Sequence, residues 1–166
     1  ALLLWAEKAE GLEDLALLPS LGFLAALVVQ GANPGTLLRD FSAQAIALRP
    51  PETSPSLVAS LLLVMATLMS AAYAYRALRP GPWGVPYALP AVLTAPMAAL
   101  VLEVLWQPAL VLGPYLWALH VIALAAMMVA LALRFARADA PDMRRAAYAT
   151  LSALSLIALA LFLLTT

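Results

Sequence analysis

The chain has no cysteine and a single histidine, His120. Its one lysine is Lys8, and only 11% of its 166 residues are charged. Without cysteine there are no disulfides, no thiolate metal ligands and no thiol redox chemistry within the chain. One histidine does not build a self-contained zinc or haem site. Nine basic residues balance nine acidic ones, so net charge leaves no footprint for nucleic acid. There is no Walker loop, no glycine-rich dinucleotide loop and no H-E-x-x-H pair. The serines have no second histidine with which to complete a nucleophilic triad. The expectation is a chain that does not catalyse on its own and holds no cofactor besides lipid.

What fills the chain is hydrocarbon. It is 65% hydrophobic, with a mean hydropathy of +0.96; a soluble domain has about 45–50% apolar residues. A 17.5 kDa globule has too little interior to hide the surplus. The apolar residues come in long runs, so a bilayer is the natural solvent.

Breakers and charges divide the runs into spans at about 15–30, 56–75, 87–107, 115–133 and 146–164. The first is short for a crossing that needs about 20 residues, and Pro19 and Gly22 interrupt it. It reads as a tilted span that borrows Gly11 and Leu12, with Gln30, Asn33, Pro34 and Gly35 marking its exit, or as a helix that enters the membrane and does not cross. The opening ALLLWAEKAE has no basic stretch ahead of its apolar residues, so it does not read as a signal peptide. Residues 1–14 carry Glu7, Glu10, Glu13 and Asp14, an acidic surface patch. In residues 37–48, LLRDFSAQAIAL, Leu37, Leu38, Phe41, Ala45 and Leu48 recur at helical spacing. This fits an amphipathic helix lying on the membrane, or a plain ordered loop, closed by RPPETSP. The fold class expected is an all-α polytopic transmembrane bundle of four or five spans plus one interfacial helix.

Arginine sets the orientation. Arg76, Arg79, Arg134, Arg137, Arg144 and Arg145 follow the second and fourth long spans, against Arg39 and Arg49 on the other side. The positive-inside rule then places the turns 76–84 and 134–145 in the cytoplasm and the C-terminus outside the cell membrane.

Two ionisable groups interrupt the apolar stretch Pro90–His120: Glu103 and His120 itself. Ionisable residues inside a membrane are expensive and mark function or specific pairing. Glu103 shares a helix face with Pro96, Ala99, Leu100, Trp106 and Gln107. The small Ala99 lets another helix approach, so Glu103 is expected to face protein. His120 lies at a similar depth on the next span. A Glu103–His120 pair, supported by Gln107 and Tyr115, reads either as a proton or cation relay or as a polar clasp between helices. Met127 follows His120 on the same face, but one helix does not ligate both sides of a haem iron. Haem would need a ligand from a second chain.

Pro96 lies inside its span. It frees the carbonyl of Val92 four residues earlier, in a kink that either lines a site or simply packs. Thr67, Ser70, Ser152 and Ser155 are placed to bond their own helices or bridge to neighbours.

GLEDLA (Gly11–Ala16), PSLGFLAALVVQ (Pro19–Gln30) and SAAYAYRALRP (Ser70–Pro80) resemble a late portion of the proton-pumping antiporter-like subunits of respiratory complex I. That resemblance implies an energy-transducing membrane. The chain departs from the family pattern in having a single proline and no membrane lysine near PSLGF. The functional expectation is a non-catalytic integral subunit of a larger respiratory or electron-transport complex, in contact with other membrane subunits or a second copy. The alternative is a small proton- or cation-conducting module built on Glu103 and His120.

Because the chain has no cysteine, single cysteines report topology without background. Arg137→Cys is expected to be protected from a membrane-impermeant maleimide in intact cells, and Thr166→Cys to react. The opposite pattern would reverse the orientation.

Overall fold

The computed structural model describes residues 17–32, 56–79, 84–139 and 143–165. All of the regular structure there is helical. In chain order the helices are α1 (Leu18–Ala32), α2 (Ser56–Ala77), α3 (Gly84–Val101), α4 (Pro108–Leu112), α5 (Pro114–Ala138) and α6 (Arg144–Thr165). A π-helical turn, Leu102–Trp106, extends α3. Four stretches are long and apolar enough to cross a membrane: Val58–Ala77, Pro86–Trp106, Pro114–Ala138 and Arg144–Thr165. The chain is therefore a helical bundle of multi-pass membrane character. The expected interfacial helix at 37–48 and the acidic patch at 1–14 lie outside the described residues.

The four long helices form two hairpins, α2 with α3 and α5 with α6, joined chiefly where α3 meets α6. The α5–α6 hairpin follows from alanine at a seven-residue spacing. Ala118, Ala125 and Ala132 on α5, and Ala146, Ala153 and Ala160 on α6, are all buried. On α6 the interleaved Ala149, Leu156 and Leu163 complete a two-residue-per-heptad seam. This is coiled-coil patterning, and its small residues allow close backbone approach. Outward faces carry Leu61, Leu68, Leu119, Leu151, Leu161 and Phe162, each more than half exposed. Such a surface suits lipid and would be costly in water.

Helix α3 is the core element. Inside the bundle, 56% of its span is buried, against 28–39% for the other three. Ala88, Ala91, Ala95, Ala98 and Ala99 are at most 1% exposed, so its neighbours press against its backbone. The described part of α1 is shorter than the four long helices. Its 15 residues rise about 22 Å, short of a hydrocarbon layer of about 30 Å. Ser20 meets Thr94, and Leu27 meets Trp106. Thus α1 runs parallel to α3 along the half nearer Gln107. Gly11 and Leu12 lie outside the described residues.

The ends of α2 and α5 and the starts of α3 and α6 meet at one end of the bundle, through Arg145. Its guanidinium pairs with both carboxylate oxygens of Asp139, with Nε to Oδ2 at 2.6 Å. It also donates to the Ala77 carbonyl at the end of α2 and lies 4.9 Å from the Phe135 ring centroid. A Cβ on Gly84 would come within 2.7 Å of this guanidinium, so a larger residue at the start of α3 would push the Arg145 side chain aside. Arg134 and Arg137 ride on the last turns of α5 rather than in a loop, because that helix continues five residues past 133 to Ala138.

Pro96 is buried in α3 without ending it. It has no N–H for the Val92 carbonyl. The Ser152 hydroxyl of α6 donates to that carbonyl at 2.7 Å. One residue before the proline, the Ala95 N–H donates to the Ser70 hydroxyl of α2 at 3.0 Å. The Thr94 hydroxyl donates to the Pro90 carbonyl at 2.6 Å. Its one proton is thereby committed, so in the 2.7 Å contact between Ser20 of α1 and Thr94 the Ser20 hydroxyl donates. The buried serines and threonine among the described residues, Ser20, Ser70, Thr94 and Ser152, thus meet at one turn of α3. Each of the three neighbouring helices contributes one hydroxyl.

Inter-helix hydrogen bonds in membranes contribute on average about 0.6 and at most about 1.7 kcal/mol. Ser152→Ala is expected to lower stability by about 1 kcal/mol, measured by reversible unfolding in mixed micelles. In a Pro96→Ala background, the restored N–H can serve Val92, and the same substitution is expected to lose less.

Candidate functional site

The polar groups predicted to form a site lie at the end of the bundle opposite Arg145. There α3 does not finish as a regular helix. The Gln107 N–H bonds the Leu102 carbonyl, five residues back, at 2.9 Å, which makes Leu102–Trp106 a π turn. Gln107 adopts φ 49°, ψ 52°, a left-handed conformation unfavourable to most side chains by about 1–2 kcal/mol. Pro108 follows as the first residue of α4, where a missing N–H does no harm. Gly113, at φ 85°, then allows the second reversal into Pro114 and α5. Turns of the π type are frequent at functional sites.

Glu103 sits within this turn. Its Oε2 is buried, and the carboxyl faces protein as expected from Ala99, which is fully buried beside it. Two groups act on it, the backbone amide of Ala109 in the first turn of α4 and the indole of Trp117 on α5. First-turn amides have no intrahelical acceptor, and that of Ala109 lies near this carboxyl. Still, neither Glu103 Oε2 nor Trp117 Nε1 has a hydrogen bond by distance and angle.

His120 does not bond Glu103. Its Nδ1 is 2.8 Å from the Leu116 carbonyl. A carbonyl only accepts, so this nitrogen carries a proton and, in the neutral ring, Nε2 is an acceptor. Nε2 faces the Ser60 hydroxyl of α2 in a long contact of 3.5 Å. The ring lies against Trp117, with centroids 5.7 Å apart. The two ionisable residues therefore flank Trp117 instead of forming the pair that the sequence suggested. Equal depth on adjacent spans brought them to one end, but depth alone does not fix the facing direction, and the π turn re-aims Glu103. The supporting residues fall away from the pair: Tyr115 is 70% exposed, and Gln107 is exposed at the turn.

Docking of α1 closes one side of the turn. Trp106 Nε1 donates to the Leu27 carbonyl at 3.3 Å. A Cβ on Gly31 would come within 2.7 Å of the Leu105 Cβ and 2.9 Å of Trp106 Nε1. Sequence reasoning missed Trp117, Ser60 and Gly31. An apolar run gives no hint of which tryptophan is buried, and Gly31 has no charge or periodicity to single it out.

Among the described residues, no three His, Asp or Glu side chains gather as a metal site. On the lipid-facing side, a shallow groove of about 240 Å³ runs between α3 and α6, lined by Val92, Tyr148 and Ser152 among others. No family model matches the chain, and no curated protein or solved structure matches it. The likeness of Gly11–Pro80 to antiporter-like subunits rests on those residues alone.

Glu103 and His120 do not touch but share Trp117 as a neighbour. In a Trp117→Phe background, which removes the indole N–H, a double-mutant cycle of Glu103→Gln and His120→Ala is expected to give a coupling energy below about 0.5 kcal/mol. A coupling above about 1 kcal/mol would restore the direct pair.

Proposed function

We propose that this chain is a non-catalytic integral subunit of a larger, energy-transducing membrane complex of the respiratory or electron-transport kind. The observation that carries this reading is where the polar groups are. Mid-bundle hydroxyls are committed to the α3 backbone and to one another. From Thr94 to Glu103 is about 13 Å of helix, faced inward by Ala95, Ala98, Ala99 and Leu102, all fully buried. A conductor needs groups that exchange protons or ions along its whole depth. Here the ionisable groups of the span sit near one end. The lipid-suited outer faces leave ample surface for neighbouring membrane subunits or a second copy, and a haem would take at least one ligand from such a partner. The likeness to antiporter-like subunits supports the energy-transducing setting. In this reading the Arg145 end lies on the cytoplasmic side of the cell membrane.

A second reading, a proton- or cation-conducting module, is favoured by one observation: Glu103, Trp117, His120 and Ser60 lie in succession at one end.

Two measurements separate the readings. Capture from native membranes in mild detergent is expected to bring down a stoichiometric partner with haem, flavin or iron–sulfur absorbance. The chain alone in liposomes is expected to pass protons no faster than empty liposomes. A monodisperse chain that conducts by itself, and loses conduction in Glu103→Gln, would support the module instead.

A further inference from the structure

The groove between α3 and α6 has a direction. Both helices start at the Arg145 end, and Val92 and Ser152, which bond across the seam, are each the ninth residue of their helix. Leu89 and Leu93 line one wall, and the other runs from Tyr148 through Leu151 to Ser155. Val92 and Ser152 are buried beneath them as its floor. Leu89, Leu93, Tyr148 and Leu151 are exposed, so the groove is open to lipid. The Ser152 and Ser155 hydroxyls donate to backbone carbonyls. That leaves the Tyr148 hydroxyl as the polar group of the lining.

A cation stands at the mouth. Arg144, Tyr148, Leu151 and Ser155 follow one another at steps of four, three and four residues, so they share one face of α6. Arg144 is exposed, about 6 Å along the helix from Tyr148. Helical side chains lean toward the N-terminus of their helix, so the guanidinium and the Tyr148 hydroxyl both reach toward that end. The end as a whole is basic. Stretches 76–84 and 134–145 hold six arginines against Asp139 and Asp142, and Asp139 is paired with Arg145.

An occupant of this groove needs an apolar tail and an anionic head, in that order. Guanidinium groups bind phosphate oxygens through paired, charge-assisted hydrogen bonds. A zwitterionic lipid brings an ammonium to the same arginines. A second copy of the chain, inserted the same way up, would bring its own arginines to that level. We infer that the groove holds one acyl chain of an anionic phospholipid, whose phosphate meets Arg144 and the Tyr148 hydroxyl. Basic pockets between membrane helices suit such headgroups, and tyrosine suits the headgroup boundary. The acyl chain lies over the Val92–Ser152 seam and fills the gap between the two hairpins. The inference needs only the bundle and a bilayer, and stands whether or not the chain belongs to a larger complex.

Photolabelling tests it, with the full chain in phosphatidylcholine vesicles that hold a trace of probe lipid. The probe carries a diazirine midway along one acyl chain, under either a phosphatidylglycerol or a phosphatidylcholine headgroup. Peptide mapping is expected to place the phosphatidylglycerol label on residues 89–93 and 151–155, about fivefold above the phosphatidylcholine label, the scale of one arginine near an anionic headgroup. Arg144→Gln is expected to bring the two labels to the same level. Arg137→Gln, on α5, is expected to leave the difference intact. Equal labelling by the two probes in the unaltered chain would overturn the inference, as would a preference that survives Arg144→Gln. A groove labelled by neither probe would overturn it too, and point to a second copy as the occupant.

Discussion

The carbonyl of Val92 is the constraint from which much of the bundle follows. Pro96 leaves it without its helical donor in the middle of a segment that has no water to offer. An unsatisfied carbonyl in hydrocarbon costs several kcal/mol, so another helix must supply a donor. Ser152 does so, and that bond fixes the register of α6 against α3. Beside it the Ala95 N–H goes to Ser70, and Thr94 back-bonds to Pro90 as Thr67 and Thr150 do in their own helices, giving α2 and α1 their own points of attachment. One missing hydrogen thus ties α6 to the core helix, and hydroxyls within the same turn tie the other two. In a medium without hydrophobic pressure between helices, such polar contacts specify an arrangement that alanine packing alone would leave open to sliding.

The two ends of the bundle are built differently. At one end a single guanidinium, Arg145, holds the close of α2 and the turn between α5 and α6, while Gly84 makes room for it. Charges there sit near water and pair with one another. At the other end the reversal from α3 to α5 is made with backbone devices: a π turn, a left-handed Gln107, a short α4 and Gly113. That construction brings Glu103 beneath α4 and beside Trp117.

Much of the architecture was legible in the sequence. The apolar runs between Ser56 and Leu164 become spans because breakers such as Pro108 and Gly113 stand where helices cannot continue. The freed Val92 carbonyl, and bridging by Ser70 and Ser152, follow from the chemistry of proline and hydroxyls. Direction was harder to read. Ser20 and Thr94 looked like ordinary small polar residues until the parallel docking of α1 brought them together. The alanines at 118, 125, 132, 146, 153 and 160 carried a seven-residue signal that marks the α5–α6 seam, but it was masked by the alanine in every helix. The Glu103–His120 pair failed because a π turn shifts the facing direction of a residue, and no composition signal announces one.

The central claim is that Ser152 replaces the donor that Pro96 removes. Isotope-edited infrared spectroscopy of a chain carrying carbon-13 at the Val92 carbonyl reads that bond directly. The account predicts a lowered, hydrogen-bonded stretching frequency that rises when Ser152 is replaced by alanine. A frequency already at the unbonded value, or one indifferent to that replacement, would contradict it.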